Sequence, residues 1–233
     1  MRSRAYLTLT VAVAVILVLT ACSSSGSGRE ILVTAEDGLV MRGQVYGASG
    51  ATGVILTHEL GGNQGNWSDF AERLAGRGFL VLTFDFRGHG RSPGPREVGI
   101  ADSDLAAAAR VMTSPDAFGR TNFFVVGASM GGTAALKIAA REKVLGVVTL
   151  SSPINTHGLS ALEDIPTIKS PKLFIVANDD QPFVNEANSM FVSASEPKQI
   201  EVLEGSDHGT DLMRGDLASE TTRLIVEFLN ANR

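Results

Sequence analysis

The sequence predicts an α/β protein, a mostly parallel sheet with helices on both faces. Three observations predict it. Short apolar runs alternate with helical stretches along the chain. The runs are apolar on consecutive residues, as strands covered on both sides must be. No internal repeat breaks the alternation, and the chain from about Arg29 to Arg233 has the length of one ordinary core.

Taken in order, Ile31–Val33 and Leu39–Tyr46 flank "AEDG" and read as a hairpin. Val54–Leu56 is the third strand, followed by a helix from about Trp67 to Gly76. Leu80–Phe84 is a strand and the Ala-rich Leu105–Met112 a helix. Phe123–Val126 is a strand and Thr133–Arg141 a helix. Val147–Leu150 and Leu173–Val176 are strands; a helix around Asn185–Val192 leads to the last, Ile200–Leu203. Leu217, Leu224, Ile225 and Phe228 recur at helical spacing and close the chain. In such a sheet, ligands bind beyond the carboxyl ends of the strands, which makes the loops there the candidate site.

Ahead of the domain, Arg2 and Arg4 precede an apolar stretch, Ala5–Leu19, and then "LTAC" ending at Cys22. This reads as a secretory signal over 1–21. Its ending resembles the lipobox of bacterial lipoproteins, which implies cleavage before Cys22 and lipidation of its thiol. Cys22 is the chain's one Cys and has no disulfide partner within it. A retained transmembrane anchor is the alternative, though the apolar stretch falls short of the ~20 residues of a span. Residues 22–28, "CSSSGSG", form a flexible tether, and 29–233 the folded domain. The expected location is the cell envelope, with the membrane as a partner through the lipid. Removing Arg2 and Arg4 takes the formal charge from −5 to −7. An acidic domain without Lys/Arg blocks is not built for nucleic acid.

The chemistry lies in "FFVVGASMGGTAALKIAA", residues 123–140. An apolar run stops at Gly127, and Ser129 stands between glycines before an Ala-rich helix. A sharp strand-to-helix turn lifts a nucleophile clear of the sheet but strains its backbone, and Gly127 and Gly131 remove side chains that would collide. Ser129 then starts a helix, where the Met130 N–H points at developing negative charge. G-x-S-x-G is common by chance, so the surrounding strand, helix and partners carry the weight.

A neutral hydroxyl needs a base, and the base an orienting acid. Of four histidines, only His208 in "GSDHGTDL" combines a strand-end loop with a place after acid candidates. Asp179 and Asp180, in "KLFIVANDDQPF", both fit the acid; Asp207 adjoins His208 and points away from it in an extended loop.

These residues resemble the α/β-hydrolase family from about Val54 to the C-terminus, in its order Ser…Asp…His. The resemblance implies an eight-stranded, mostly parallel sheet and a serine hydrolase. It places the acid at Asp180, with Ala177 where Gly is usual. It also implies a second oxyanion donor in "THELGGNQGNW", where the Leu60 N–H follows His58-Glu59; the Met130 N–H is the first. Glu59 at this place is similar to the dienelactone hydrolase branch, whose usual nucleophile is Cys rather than Ser. "DFRGHGRSPG" resembles esterases, lipases and serine aminopeptidases instead. Many relatives insert a helical cap before the acid-bearing strand. Here about 22 residues join Leu150 to Leu173, which fits a loop or one short helix and no large cap. The implied site is open and shallow.

The expected substrate is a small acyl ester or thioester. Peptidase activity on the same scaffold, or a non-catalytic envelope protein that holds a ligand, are the rival readings. Glu59, His58, Trp67 and His157 are candidate lining residues. Glu59 either approaches Ser129 or His208, favouring a charged imidazole, or faces solvent. No cofactor or metal is expected. "HELGG" lacks the second His of a zinc motif, no G-K-[ST] marks a phosphate loop, and no Cys/His cluster has metal spacing.

Overall fold

A computed structural model describes residues 28–48 and 51–233. The leader, Cys22 and all of the tether except Gly28 lie outside the described residues. Strands β1 (Arg29–Thr34) and β2 (Val40–Tyr46) form the hairpin, closed by Ala35 N–H donating to Leu39 O at 2.8 Å. The chain continues through β3 (Thr52–Thr57), α1 (Ser68–Ala75), β4 (Phe79–Phe84), α2 (Ala101–Thr113), β5 (Phe123–Ala128), α3 (Met130–Arg141) and β6 (Gly146–Leu150). After a small hairpin, β7 (Asn155–Thr156) and β8 (Leu159–Ser160), come β9 (Lys172–Ala177), α4 (Phe183–Ser193), β10 (Lys198–Leu203) and α5 (Ala218–Ala231).

Eight strands form one sheet in the order β1-β2-β4-β3-β5-β6-β9-β10. β2 runs against both of its neighbours, and every other pair is parallel. Consecutive apolar residues serve opposite faces. Ile55 and Val125 join the core under α2, α3 and α4, while Val54, Leu56, Phe124 and Val126 join the one under α1 and α5. Each such side chain, fully buried, contributes about 1.5–3 kcal/mol, so the alternation pins the register of the central strands. The fold is that of an α/β-hydrolase, with no large cap among the described residues.

Three details differ from the sequence expectation. The connection from β6 to β9 holds, besides one short 3-10 helix, Ile165–Thr167, the β7–β8 hairpin, which the sequence reading did not include. Lys137 on α3 fastens it down, donating to Ser160 O at 2.9 Å and Asp164 Oδ2 at 3.2 Å. α3 begins at Met130 rather than Thr133, because the turn at Ser129 enters the helix directly. Leu217 precedes α5 in a separate 3-10 turn.

Because the central strands are parallel, the loops after β3, β5, β9 and β10 leave the same rim of the sheet. They carry residues 58–63, Ser129, 178–182 and 204–209.

Candidate active site

Ser129 sits at the end of β5 with φ 48° and ψ −119°, a strained conformation for a residue with a side chain. Its N–H is held by Leu150 O at 2.8 Å. The two glycines are required by close backbone approach. A Cβ on Gly127 would lie 2.4 Å from Gly131 O, and one on Gly131 would lie 2.6 Å from Thr57 O. Gly131 therefore lets α3 press against the end of β3, where Thr57 Oγ1 donates to Gly131 O at 3.0 Å. The elbow and the β3 loop are packed as one unit.

His208 precedes a 3-10 turn, Gly209–Met213, after β10. Its Nδ1 lies 3.0 Å and 3.2 Å from the two carboxylate oxygens of Asp180, which is 7% exposed. Asp179 is exposed to solvent. Phe183, the first residue of α4, lies against the imidazole with ring centroids 4.2 Å apart. Gly209 brings this loop onto β5, since a Cβ there would lie 3.6 Å from Ala128 Cβ. Among the described residues Ser129 Oγ makes no hydrogen bond, so the step from hydroxyl to imidazole is not closed in this structure. Such contacts are commonly long before substrate binds.

The loop after β3 is positioned by histidines. His58 is fully buried; the Phe86 N–H donates to its Nε2 at 3.1 Å, so Nδ1 carries the proton and donates to Glu59 O at 2.7 Å. Burial, opposed by that backbone bond, lowers its pKa to about 4. Holding the Glu59 carbonyl turns the other side of the same trans peptide, the Leu60 N–H, away from His58. Leu60 O is in turn held by buried His89 at 2.9 Å. Among the described residues neither the Leu60 nor the Met130 N–H is bound to a protein acceptor. Fully buried Asp85 fastens the far end of the loop, accepting from Gln64 N–H at 2.7 Å and from Arg91 N–H at 2.8 Å.

The candidate lining residues part company. Trp67 is completely buried in the core under α1 and α5, and His58 is buried as a loop support, so neither lines an open site. His157 is exposed at the tip of the β7–β8 hairpin, with φ 45° and its backbone near Gly99. Glu59 does not face solvent. Its Oε1 accepts from Asn66 Nδ2 at 2.5 Å and Thr210 Oγ1 at 2.7 Å, and its Oε2 is buried without a partner. Asn66, Thr210 and Phe183 were not singled out by sequence. The first two stand beside the "HELGG" and "DHG" segments, a signal that adjacency alone could have offered. Among the described residues no group of three His, Cys, Asp or Glu could hold a metal ion, and no helix is long and apolar enough to cross a membrane.

Comparison with known proteins bears on the fold. Residues 53–169 match the family model of the alpha/beta hydrolase fold. An uncharacterized protein of Mycobacterium tuberculosis is 26% identical over 221 residues, covering 84% of this chain and 78% of that one. The quorum-quenching protein AidA of Acinetobacter baumannii is 32% identical over 133 residues, covering 55% of this chain and 43% of its own length. Among solved structures, the Pyrococcus furiosus esterase Pf2001 superposes with a TM-score of 0.75 at 20% identity, covering 89% of this chain and 91% of that chain. The dienelactone hydrolase of Anabaena variabilis gives 0.75 at 22% identity, covering 90% and 99%. At these identities the structural likeness speaks for the fold.

Proposed function

The chain belongs to the alpha/beta-hydrolase fold family, and on that premise we propose that it is a serine hydrolase cleaving carboxylic ester or thioester bonds through an acyl-enzyme. The observation that carries this reading is the Asp180–His208 pair at the same rim of the sheet as the strained Ser129 turn, with Gly209 packed on Ala128.

Ser129 Oγ attacks the carbonyl carbon and passes its proton to His208 Nε2. Asp180 at Nδ1 fixes the tautomer and stabilises the imidazolium. The oxyanion that forms receives the Leu60 and Met130 N–H groups, each such donor lowering the barrier by about 3–4 kcal/mol. The intermediate collapses, and the leaving alcohol or thiol takes the proton from His208. Water then gives a proton to His208 Nε2 and adds to the acyl carbon; as this second intermediate collapses, the bond from the acyl carbon to Ser129 Oγ breaks, Oγ takes the proton back from His208, and the acid leaves. The match to the alpha/beta hydrolase fold model supports hydrolytic chemistry. Among the described residues nothing large covers the rim, which suits small or exposed acyl groups.

The leader and Cys22 support export and attachment to the envelope through a lipid on the thiol. Cys22→Ser should release the processed protein from the membrane fraction, and continued partition with membranes would refute the anchor.

The reaction is tested with p-nitrophenyl esters of increasing acyl length beside an aminoacyl anilide. Ester turnover, lost by ~10³-fold or more in Ser129→Ala, together with labelling by a fluorophosphonate, is the expected result. Turnover of the anilide alone would point to a peptidase, and neither turnover nor labelling to a binding protein.

A further inference from the structure

Two halves of the proposed machinery arrive from distant parts of the chain. The oxyanion peptide 59–60 follows β3, and His208 follows β10. We propose that the Glu59 side chain is the positioning residue that couples them, holding the Leu60 N–H and the His208 imidazole in one register. The inference rests on the serine-hydrolase reading of the same site.

Glu59 occupies both sides of the junction. Its own carbonyl belongs to peptide 59–60 and is held by His58 Nδ1 at 2.7 Å. Its carboxylate reaches across 151 residues of sequence to Thr210, whose Oγ1 donates to Oε1 at 2.7 Å. Thr210 is fully buried and stands two residues after His208 in the turn that carries the imidazole. Asn66 closes a triangle, its Nδ2 donating to Glu59 Oε1 at 2.5 Å and to Thr210 Oγ1 at 3.1 Å. Glycines let the parts meet. A Cβ on Gly62 would lie 2.7 Å from Glu59 Oε1, and one on Gly209, at φ +58°, would lie 3.7 Å from Oε2.

The physical need is plain. Backbone donors stabilise an oxyanion only when aimed at where its charge develops, and the base must reach the same reacting centre. Each group sits on a loop, and loops are the mobile parts of a fold. Misplacement by about 1 Å is enough to lose ~10²-fold in rate. A part-buried carboxylate oxygen with two donors on two different loops is a link between them. What the link uses is the acceptor Oε1, so the geometry, rather than the negative charge, is the property that matters.

The test measures kcat and KM for an acyl p-nitrophenyl ester with Glu59→Ala, Glu59→Gln, Thr210→Val, Thr210→Ser and the Ala–Val double variant, each checked for a cooperative thermal transition. Glu59→Ala and Thr210→Val should each lower kcat by ~10- to 100-fold while KM stays within ~3-fold. The double variant should be no worse than the poorer single one, because both remove the same link. Gln and Ser keep the acceptor and the hydroxyl, and should hold kcat within ~3-fold of the unaltered protein. Effects that multiply, losses confined to KM, or a Gln variant as poor as the Ala variant would each overturn the coupling. If Ser129→Ala is inactive while Glu59→Ala matches the unaltered protein, the coupling alone falls. If Ser129→Ala is fully active, the reading of the whole site falls with it.

Discussion

The Phe86 N–H donates to His58 Nε2 at 3.1 Å, and this bond decides which ring nitrogen of a buried histidine holds its proton. With Nε2 engaged as acceptor, Nδ1 is the donor, and it takes the Glu59 carbonyl at 2.7 Å. The Leu60 N–H, the other pole of the same peptide, is left available to a developing oxyanion. On the proposed mechanism, a residue that touches no substrate thus orients a group that does.

Stability should fall in mild acid because of His58. Burial lowers its pKa from 6.5 to about 4 in the folded chain. The unfolded chain therefore takes up a proton that the folded one refuses. The contribution of His58 is full above its unfolded pKa and is lost as pH falls from about 6.5 to about 4, amounting to roughly 3 kcal/mol. Denaturant unfolding at pH 7.5, 5.5 and 4.5 measures it. His58→Asn, which removes the titration, should flatten the slope in that window; an equal slope in both proteins would count against the assignment.

Asp180 and Asp179 are neighbours with different surroundings. Asp180→Asn should lower kcat by ~10³–10⁴-fold, because an amide no longer fixes the tautomer of His208 or stabilises its cation. Exposed Asp179→Asn should stay within ~2-fold of the unaltered protein. Steady-state ester hydrolysis by the two variants decides between them, and the reverse ranking would move the acid to position 179.

Gly131→Ala should damage both fold and rate. Its methyl would meet Thr57 O at 2.6 Å and His58 O at 2.7 Å, and backbone cannot swing aside as a flexible side chain can. Overpacking of this kind costs about 1–3 kcal/mol. The displaced segment leads into the Leu60 loop, so kcat should fall as well. A variant with an unchanged melting temperature and unchanged kcat would show that α3 and β3 are not locked as described.

Arg87 is buried on Asp104, with Nη2 donating to Oδ1 at 2.7 Å and Nε also engaged at 3.0 Å. The carboxylate raises the pKa of the guanidinium, which stays charged. Asp104→Ala leaves that cation without its buried partner and should destabilise the domain by about 3–5 kcal/mol. Asp37 also meets Arg87, at 2.9 Å, but from the exposed side, and Asp37→Ala should have a far smaller effect. Equal losses in chemical denaturation would contradict this ranking.

How much was legible in the sequence depended on the range of the interaction that settles each feature. The α/β alternation, the elbow around Ser129 and the strand-end place of His208 were readable because they are local. Apolar runs mark buried strands, glycines mark close backbone approach, and a helix begins where a turn releases it. "ANDD" offered two carboxylates in one turn, and residues alone left both open; only the resemblance favoured Asp180.

The tertiary structure decided what depends on partners far along the chain. It put Asp180 rather than Asp179 against His208, Trp67 wholly in the core, and His58 under the loop instead of on its surface. It turned the carboxylate of Glu59 inward to Thr210, and it added a β-hairpin to a connection that sequence read as a loop or short helix. Each outcome turns on which buried polar group finds a donor or acceptor when distant segments pack. One sequence position carries its own propensity, but not the identity of the atom that will lie 3 Å away.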